Sequence, residues 1–138
     1  MAYIVDSDWL IDYLANDEEA TQVVEGLADE GFSISIITYM EVYEGLEAGR
    51  YEDDATAKFE DILSEAPLLQ ISPEVARRCA RLRHHLRTEG KRVNQRSLDL
   101  ILAATALEHG LTLVTRNTED YRDIPGLDLY DVAGSAKA

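Results

Sequence analysis

Cysteine, proline and lysine are scarce: 138 residues hold one cysteine, three prolines and three lysines, the lysines standing against ten arginines. The lone Cys79 has no partner within the chain, which excludes an internal disulfide framework and argues against a cysteine-based zinc site. No apolar run approaches the roughly 20 residues a bilayer needs; the longest lies near residues 100–107. No basic segment precedes a cleavable apolar stretch at the N-terminus, so no membrane association and a cytoplasmic location are expected. Hydrophobic content of 46% with mixed charge suits a folded chain, and the length suits a single domain with its own core. That domain is expected over residues 1–132, with a flexible tail at 133–138.

What is abundant is negative charge, 27 acids against 13 bases for a formal charge of −14. The sum argues against a nucleic-acid partner, since phosphate binding rests on lysine and arginine. The distribution argues otherwise. Residues 1–70 hold 18 of the acids and only Arg50 and Lys58, whereas residues 77–96 carry Arg77, Arg78, Arg81, Arg83, Arg87, Lys91, Arg92 and Arg96 against the single acid Glu89. Such a stripe can track an anionic polymer or can pair with the acidic half of the same molecule. Few lysines beside many carboxylates also fit halophilic adaptation, because concentrated salt screens the self-repulsion of an acidic fold.

Residues 2–6 read as a short buried strand ending in Asp6, followed by Ser7 or Asp8 as a cap and a helix carrying Trp9, Leu10, Tyr13 and Leu14. A second helix over residues 18–30 stops at Gly31. A second strand, residues 33–37, leads into a helix opened by Thr38, with Glu41 in its first turn. A further helix ends near Glu65, a third strand spans residues 67–71, and Ser72-Pro73 starts a helix whose Val75, Cys79, Leu82 and Leu86 share one apolar arc. Cys79 therefore reads as a core residue. Residues 97–109 form an alanine-rich helix capped by Gly110, then come a fourth strand at 111–115, a one-turn helix at 117–121 and a fifth strand near 127–130. Strands alternating with helices imply an α/β fold with a mostly parallel sheet covered on both faces, and ligands bind such sheets at the carboxyl ends of the strands.

Four polar positions fall on that edge: Asp6, Glu41, Asp99, and Asn117 or Asp120. Two carboxylates about 4 Å apart repel by about 4 kcal/mol at an effective dielectric of 20, so such a cluster calls for a cation. Oxygen-only ligands suit Mg²⁺ or Mn²⁺. Each acid also has a plainer reading: Thr38-x-x-Glu41 fits a capping box, Asp6 can cap the first helix, and Asp99 and Asp120 can favour helix dipoles. Asp6-Ser7-Asp8 further resembles the first motif of haloacid-dehalogenase-type phosphatases, but no lysine follows a strand where that chemistry needs one.

Ile4-Val5-Asp6-Ser7-Asp8-Trp9-Leu10-Ile11 resembles the opening motif of PIN-domain ribonucleases, and Ile34-Ser35-Ile36-Ile37-Thr38-Tyr39-Met40-Glu41-Val42 resembles their second. Ser97-Leu98-Asp99-Leu100-Ile101-Leu102-Ala103-Ala104 and Leu113-Val114-Thr115-Arg116-Asn117-Thr118-Glu119-Asp120-Tyr121 are similar to the third and fourth, closest to the VapC toxins of toxin–antitoxin pairs. The resemblance implies a three-layer α/β/α fold with a central five-stranded sheet and Mg²⁺- or Mn²⁺-dependent endoribonuclease activity on tRNA or rRNA. It also implies a homodimer and neutralisation by a cognate VapB-like antitoxin. Carried over by position, Asp6, Asp99 and Glu41 become the metal-site carboxylates, and Asn117 or Asp120 completes the catalytic set. Many relatives have an acid where Asn117 stands, which leaves room for a PIN-like domain that binds RNA or protein without cutting. Ser7-Asp8 replaces the commoner Thr-Asn. Arg77, Arg81, Arg87, Lys91, Arg92, Arg96 and Arg116 are the candidate RNA contacts.

Halophilic adaptation is testable at once. The melting temperature is expected to rise between low and molar KCl, followed by circular dichroism; a melt that does not move contradicts it.

Overall fold

The computed structural model describes residues 2–132; the tail expected at 133–138 lies outside them. Four strands, β1 (Tyr3–Val5), β2 (Phe32–Ser35), β3 (Leu68–Leu69) and β4 (Thr112–Val114), form one sheet in the order β3-β2-β1-β4. Every pairing in it is parallel: Tyr3 stands opposite both Phe32 and Thr112, and Ile34 opposite Leu68. Around it lie α1 (Ser7–Leu14), α2 (Glu18–Ala28), α3 (Ile36–Glu47), α4 (Ala55–Glu65), α5 (Pro73–Thr88) and α6 (Ser97–His109).

Alternation along β1 divides the core in two. Tyr3 and Val5 pack with Phe32, Ile34 and the apolar faces of α1 to α4, among them Trp9, Leu10, Leu14, Val24 and Phe59. Ile4 points the other way and joins Leu113 with Val75, Leu82, Leu86, Leu100 and Leu102 of α5 and α6. The result is three layers. Ala103, Ala104 and Ala106 are fully buried where α6 packs, their small side chains suiting close approach to α5. Cys79 is buried in the same layer, as its apolar arc requires, and burial pushes its thiol pKa up.

The fifth strand is a correction. Near Leu129 the chain makes a single parallel bridge to Leu113, held by the Leu113 N–H donating to the Asp128 carbonyl (2.9 Å) and the Tyr130 N–H to the Leu113 carbonyl (2.8 Å). Two hydrogen bonds are too few for a strand, and among the described residues the sheet has four. The second strand is also shorter than its apolar run suggests. Ser35 ends it by capping α3, its hydroxyl accepting from the Thr38 N–H at 3.1 Å, so that Ile36 and Ile37 are helical. Ser72 caps α5 in the same way, with Pro73 at the first helical position. Gly110 closes α6 in the left-handed region at φ +64°, a conformation that disfavours a Cβ. Among the described residues no helix is long and apolar enough to cross a membrane.

Candidate active site

Asp6 follows β1 directly and lies between the ends of its neighbours. Its N–H donates to the Val114 carbonyl (2.9 Å), continuing the β1–β4 ladder, and its extended backbone makes it the N-cap of α1. The Ser7 N–H donates to Asp6 Oδ1 at 2.7 Å, while the Thr115 hydroxyl, just past β4, donates to Oδ2 at 2.8 Å. The cap and the candidate ligand are one carboxylate. It is only 7% exposed, and burial first, then the charges of Asp8 and Asp99, raise its pKa to about 7 against the opposing hydrogen bonds from Thr115 and Ser7.

Asp8 accepts at Oδ1 from the Trp9 N–H (2.7 Å) and at Oδ2 from the Arg116 N–H (2.9 Å), with the Thr115 hydroxyl at 3.2 Å. The additional acid thus ties the first turn of α1 to the end of β4. Burial raises its pKa, while the backbone N–H groups of Arg116 and Trp9 pull it back. The single Thr115 hydroxyl proton can serve Asp6 or Asp8 but not both at once, and its oxygen accepts from the Asn117 N–H at 3.2 Å.

Glu41, on α3, is half-buried. Burial raises its pKa, a hydrogen bond from Ser7 lowers it, and Asp99, Glu44 and Asp8 push it further up. The capping-box alternative does not hold for it: the cap of α3 is Ser35, three residues before Thr38 and six before Glu41. Asp99 stands in the first turn of α6. Tyr121 ends a short 3-10 turn, Thr118–Tyr121, and is 1% exposed. Its hydroxyl lies 3.5 Å from Asp6 Oδ2; burial and the charges of Asp6, Asp99 and Asp8 drive its pKa far up.

Asp6, Asp8, Glu41 and Asp99 therefore act on one another at the carboxyl edge of the sheet. Asn117 and Asp120 are both exposed, and the contact of Asn117 with the site is through its N–H to Thr115. Asp120 gives its carbonyl to the Arg96 guanidinium at 2.7 Å, and its charge bears on Arg96. Among the described residues no three His, Cys, Asp or Glu side chains stand ready to hold a metal ion. The acids interact electrostatically without closing into a ligand cage. The donor set nevertheless fits a hard divalent cation: it is all oxygen, and the strongest opposing influences on Asp6 are hydrogen bonds rather than a basic side chain.

Two of the expected RNA contacts are engaged within the molecule. Arg116 stacks over Trp9 at 3.7 Å from the ring centroid and pairs with Asp12 (2.8 Å), Glu19 (2.9 Å) and Asp17 (3.2 Å). Arg96 grips Asp123 with both terminal nitrogens at 2.9 and 2.8 Å. On α5 and the loop after it, Arg77 makes a loose 3.5 Å pair with Glu74 and Arg87 donates to Asn94 at 3.0 Å. Arg81, Lys91 and Arg92 are exposed and form no ion pair among the described residues. Sequence reasoning missed Thr115 and Tyr121. Thr115 could have been found, as a polar residue at the end of a predicted strand; nothing in the sequence distinguishes Tyr121 from an ordinary core aromatic.

The profile of the PIN domain family matches residues 3–127. Ribonuclease VapC2 of Haemophilus influenzae is 31% identical over 94 residues, covering 68% of this chain and 70% of that protein. The tRNA(fMet)-specific endonuclease VapC of Salmonella typhimurium is 26% identical over 131 residues, 95% of this chain and 98% of its own length. A solved toxin–antitoxin complex from Klebsiella pneumoniae contains a chain that superposes with a TM-score of 0.70 at 30% identity, over 94% of this chain and 99% of that one.

The electrostatics of Asp6 have a measurable consequence. Its folded pKa of about 7 lies above its ordinary 3.8, so between those values the folded protein holds a proton that the unfolded chain has lost. Stability from this group is therefore full at low pH and falls as pH rises through 7. Asn caps a helix as well as Asp does. In EDTA, Asp6→Asn is expected to be more stable than wild type by about 4 kcal/mol at pH 8, with the gap closing towards pH 4, as read by urea unfolding. A variant no more stable at pH 8 than at pH 4, relative to wild type, contradicts the burial argument.

Proposed function

Because the chain belongs to the PIN-domain family, we propose that it is a divalent-metal-dependent endoribonuclease that cuts tRNA or rRNA and is neutralised by a VapB-like antitoxin. The observation that carries this reading is Asp6, a buried carboxylate with Asp8 and Asp99 as its nearest charges, at the edge of the sheet where ligands bind. The names of the Haemophilus and Salmonella relatives support ribonuclease chemistry, and the Klebsiella complex supports an antitoxin partner. We also propose that the chain works as a homodimer.

Asp6 and Asp99, with Glu41, would hold the ion. Mg²⁺ or Mn²⁺, when bound, supplies Lewis acidity towards a phosphodiester and its attacking water. The chain's own groups divide the remaining work. Glu41 is half-buried with a raised pKa, which suits it to orient a water and take its proton. Ser7 donates to Asp6 Oδ1 through its N–H at 2.7 Å, with its hydroxyl 3.4 Å from the same oxygen, and holds Asp6 at the start of α1. Tyr121 keeps its proton and acts only as a donor. Asn117 and Asp120, exposed beside the site, are placed to meet the RNA rather than the ion. Arg77, Arg81, Arg87, Lys91 and Arg92 present positive charge to the phosphate backbone, whereas Arg96 and Arg116 act by shaping the edge.

Purified protein is expected to cut total tRNA or rRNA into discrete fragments with Mg²⁺ or Mn²⁺ and not with EDTA. The fragments should carry 5′-phosphate and 3′-hydroxyl ends. Asp99→Asn is expected to slow cleavage by about 10²–10³-fold, the range found when one electrostatic contact to a reacting centre is removed. Ends bearing 2′,3′-cyclic phosphate, or undiminished cleavage by the variant, would sink this mechanism.

A further inference from the structure

Tyr121 has the size and burial of a core residue but not the surroundings of one. Its ring lies in the α5–α6 layer with Leu100, Leu113 and Ile124 and is among the largest fully buried side chains. Phenylalanine would fill the same space without the cost of desolvating a hydroxyl. The hydroxyl's surroundings are carboxylates: it lies 3.5 Å from Asp6 Oδ2, at the long limit of a hydrogen bond, and the charge of Asp99 bears on it as well. Asp6 comes from the end of β1, Asp99 from the first turn of α6 and Tyr121 from the turn after β4. Charges from elements distant in the chain thus bear on one phenolic oxygen.

We propose that Tyr121 is a positioning residue of the carboxylate centre, its buried hydroxyl steadying Asp6 beside Asp99 and so setting the gap between the two into which a divalent ion fits. This rests on the reading of Asp6 and Asp99 as metal ligands. Two like charges on separate elements would otherwise drift apart, and a neutral donor beside Asp6 opposes that without adding a cation that would compete with the ion. The packed ring fixes where the oxygen can be, so the restraint comes from the core and not from a mobile side chain. Partners that orient metal ligands in this way are typically worth about 10–100-fold in affinity.

The test is Mn²⁺ binding by isothermal titration calorimetry to the full chain as wild type, Tyr121→Phe and Asp6→Asn, with a circular dichroism melt of each in EDTA. Wild type is expected to bind saturably and Asp6→Asn not to bind. Tyr121→Phe, folded to the same extent, is expected to bind at least about tenfold more weakly. Equal affinity in wild type and Tyr121→Phe overturns the proposal and leaves the metal centre standing. A Tyr121→Phe chain that does not fold without metal assigns the hydroxyl a structural role and overturns it too. Wild type that binds no Mn²⁺ overturns the metal centre and the proposal together.

Discussion

Burial of the Asp6 carboxylate at the end of β1 is the constraint around which the edge of the sheet is arranged. A carboxylate removed from water is tolerated only with compensation, and here it comes piecemeal: one backbone N–H from the helix that Asp6 caps and one hydroxyl from the strand beside it. Neither cancels the added repulsion from Asp8 and Asp99, so the pKa remains raised. The chain's own groups therefore leave the negative charge of this edge only partly compensated. A divalent cation is the simplest completion for an oxygen-only set, and the same incompleteness that destabilises the protein alone would drive binding of the ion.

Asp8 and Arg116 show how the fold holds such an edge together. Asp8 binds the Arg116 N–H, and the Arg116 side chain turns back to Trp9, Asp12, Asp17 and Glu19, so that β4, α1 and α2 meet at one residue. Arg96 does the same on the other flank through Asp123 and the Asp120 carbonyl. Part of the arginine complement thus answers the acidic excess from within the molecule. The exposed cations of α5 and its following loop are left to face outward.

Much of this was legible in the sequence, and what was not has physical reasons. Asp6, rather than Ser7 or Asp8, caps α1, while the cap at Ser72, the apolar arc of α5 and the alanine-rich α6 follow from local rules, and each lies where those rules put it. The end of β2 did not, because Ile36 and Ile37 suit a strand until Ser35 is seen to cap the helix. The fifth strand was an apolar segment that pairs at one residue, and apolarity does not report hydrogen-bond count. In the site, Asp6, Glu41 and Asp99 were visible because their acids follow or open predicted elements. Asp8, Thr115 and Tyr121 matter through contacts more than 100 residues apart in the chain, which no local pattern encodes.

The most direct measurement is a carbon-13 NMR titration of the Asp6 side-chain carboxyl, with and without Mg²⁺. In metal-free protein the midpoint is expected near pH 7, and saturating Mg²⁺ is expected to remove it from the neutral range by holding the carboxylate charged. A metal-free midpoint near the ordinary value of about 4, or one near 7 that Mg²⁺ leaves in place, would contradict a buried carboxylate centre built to receive a divalent ion.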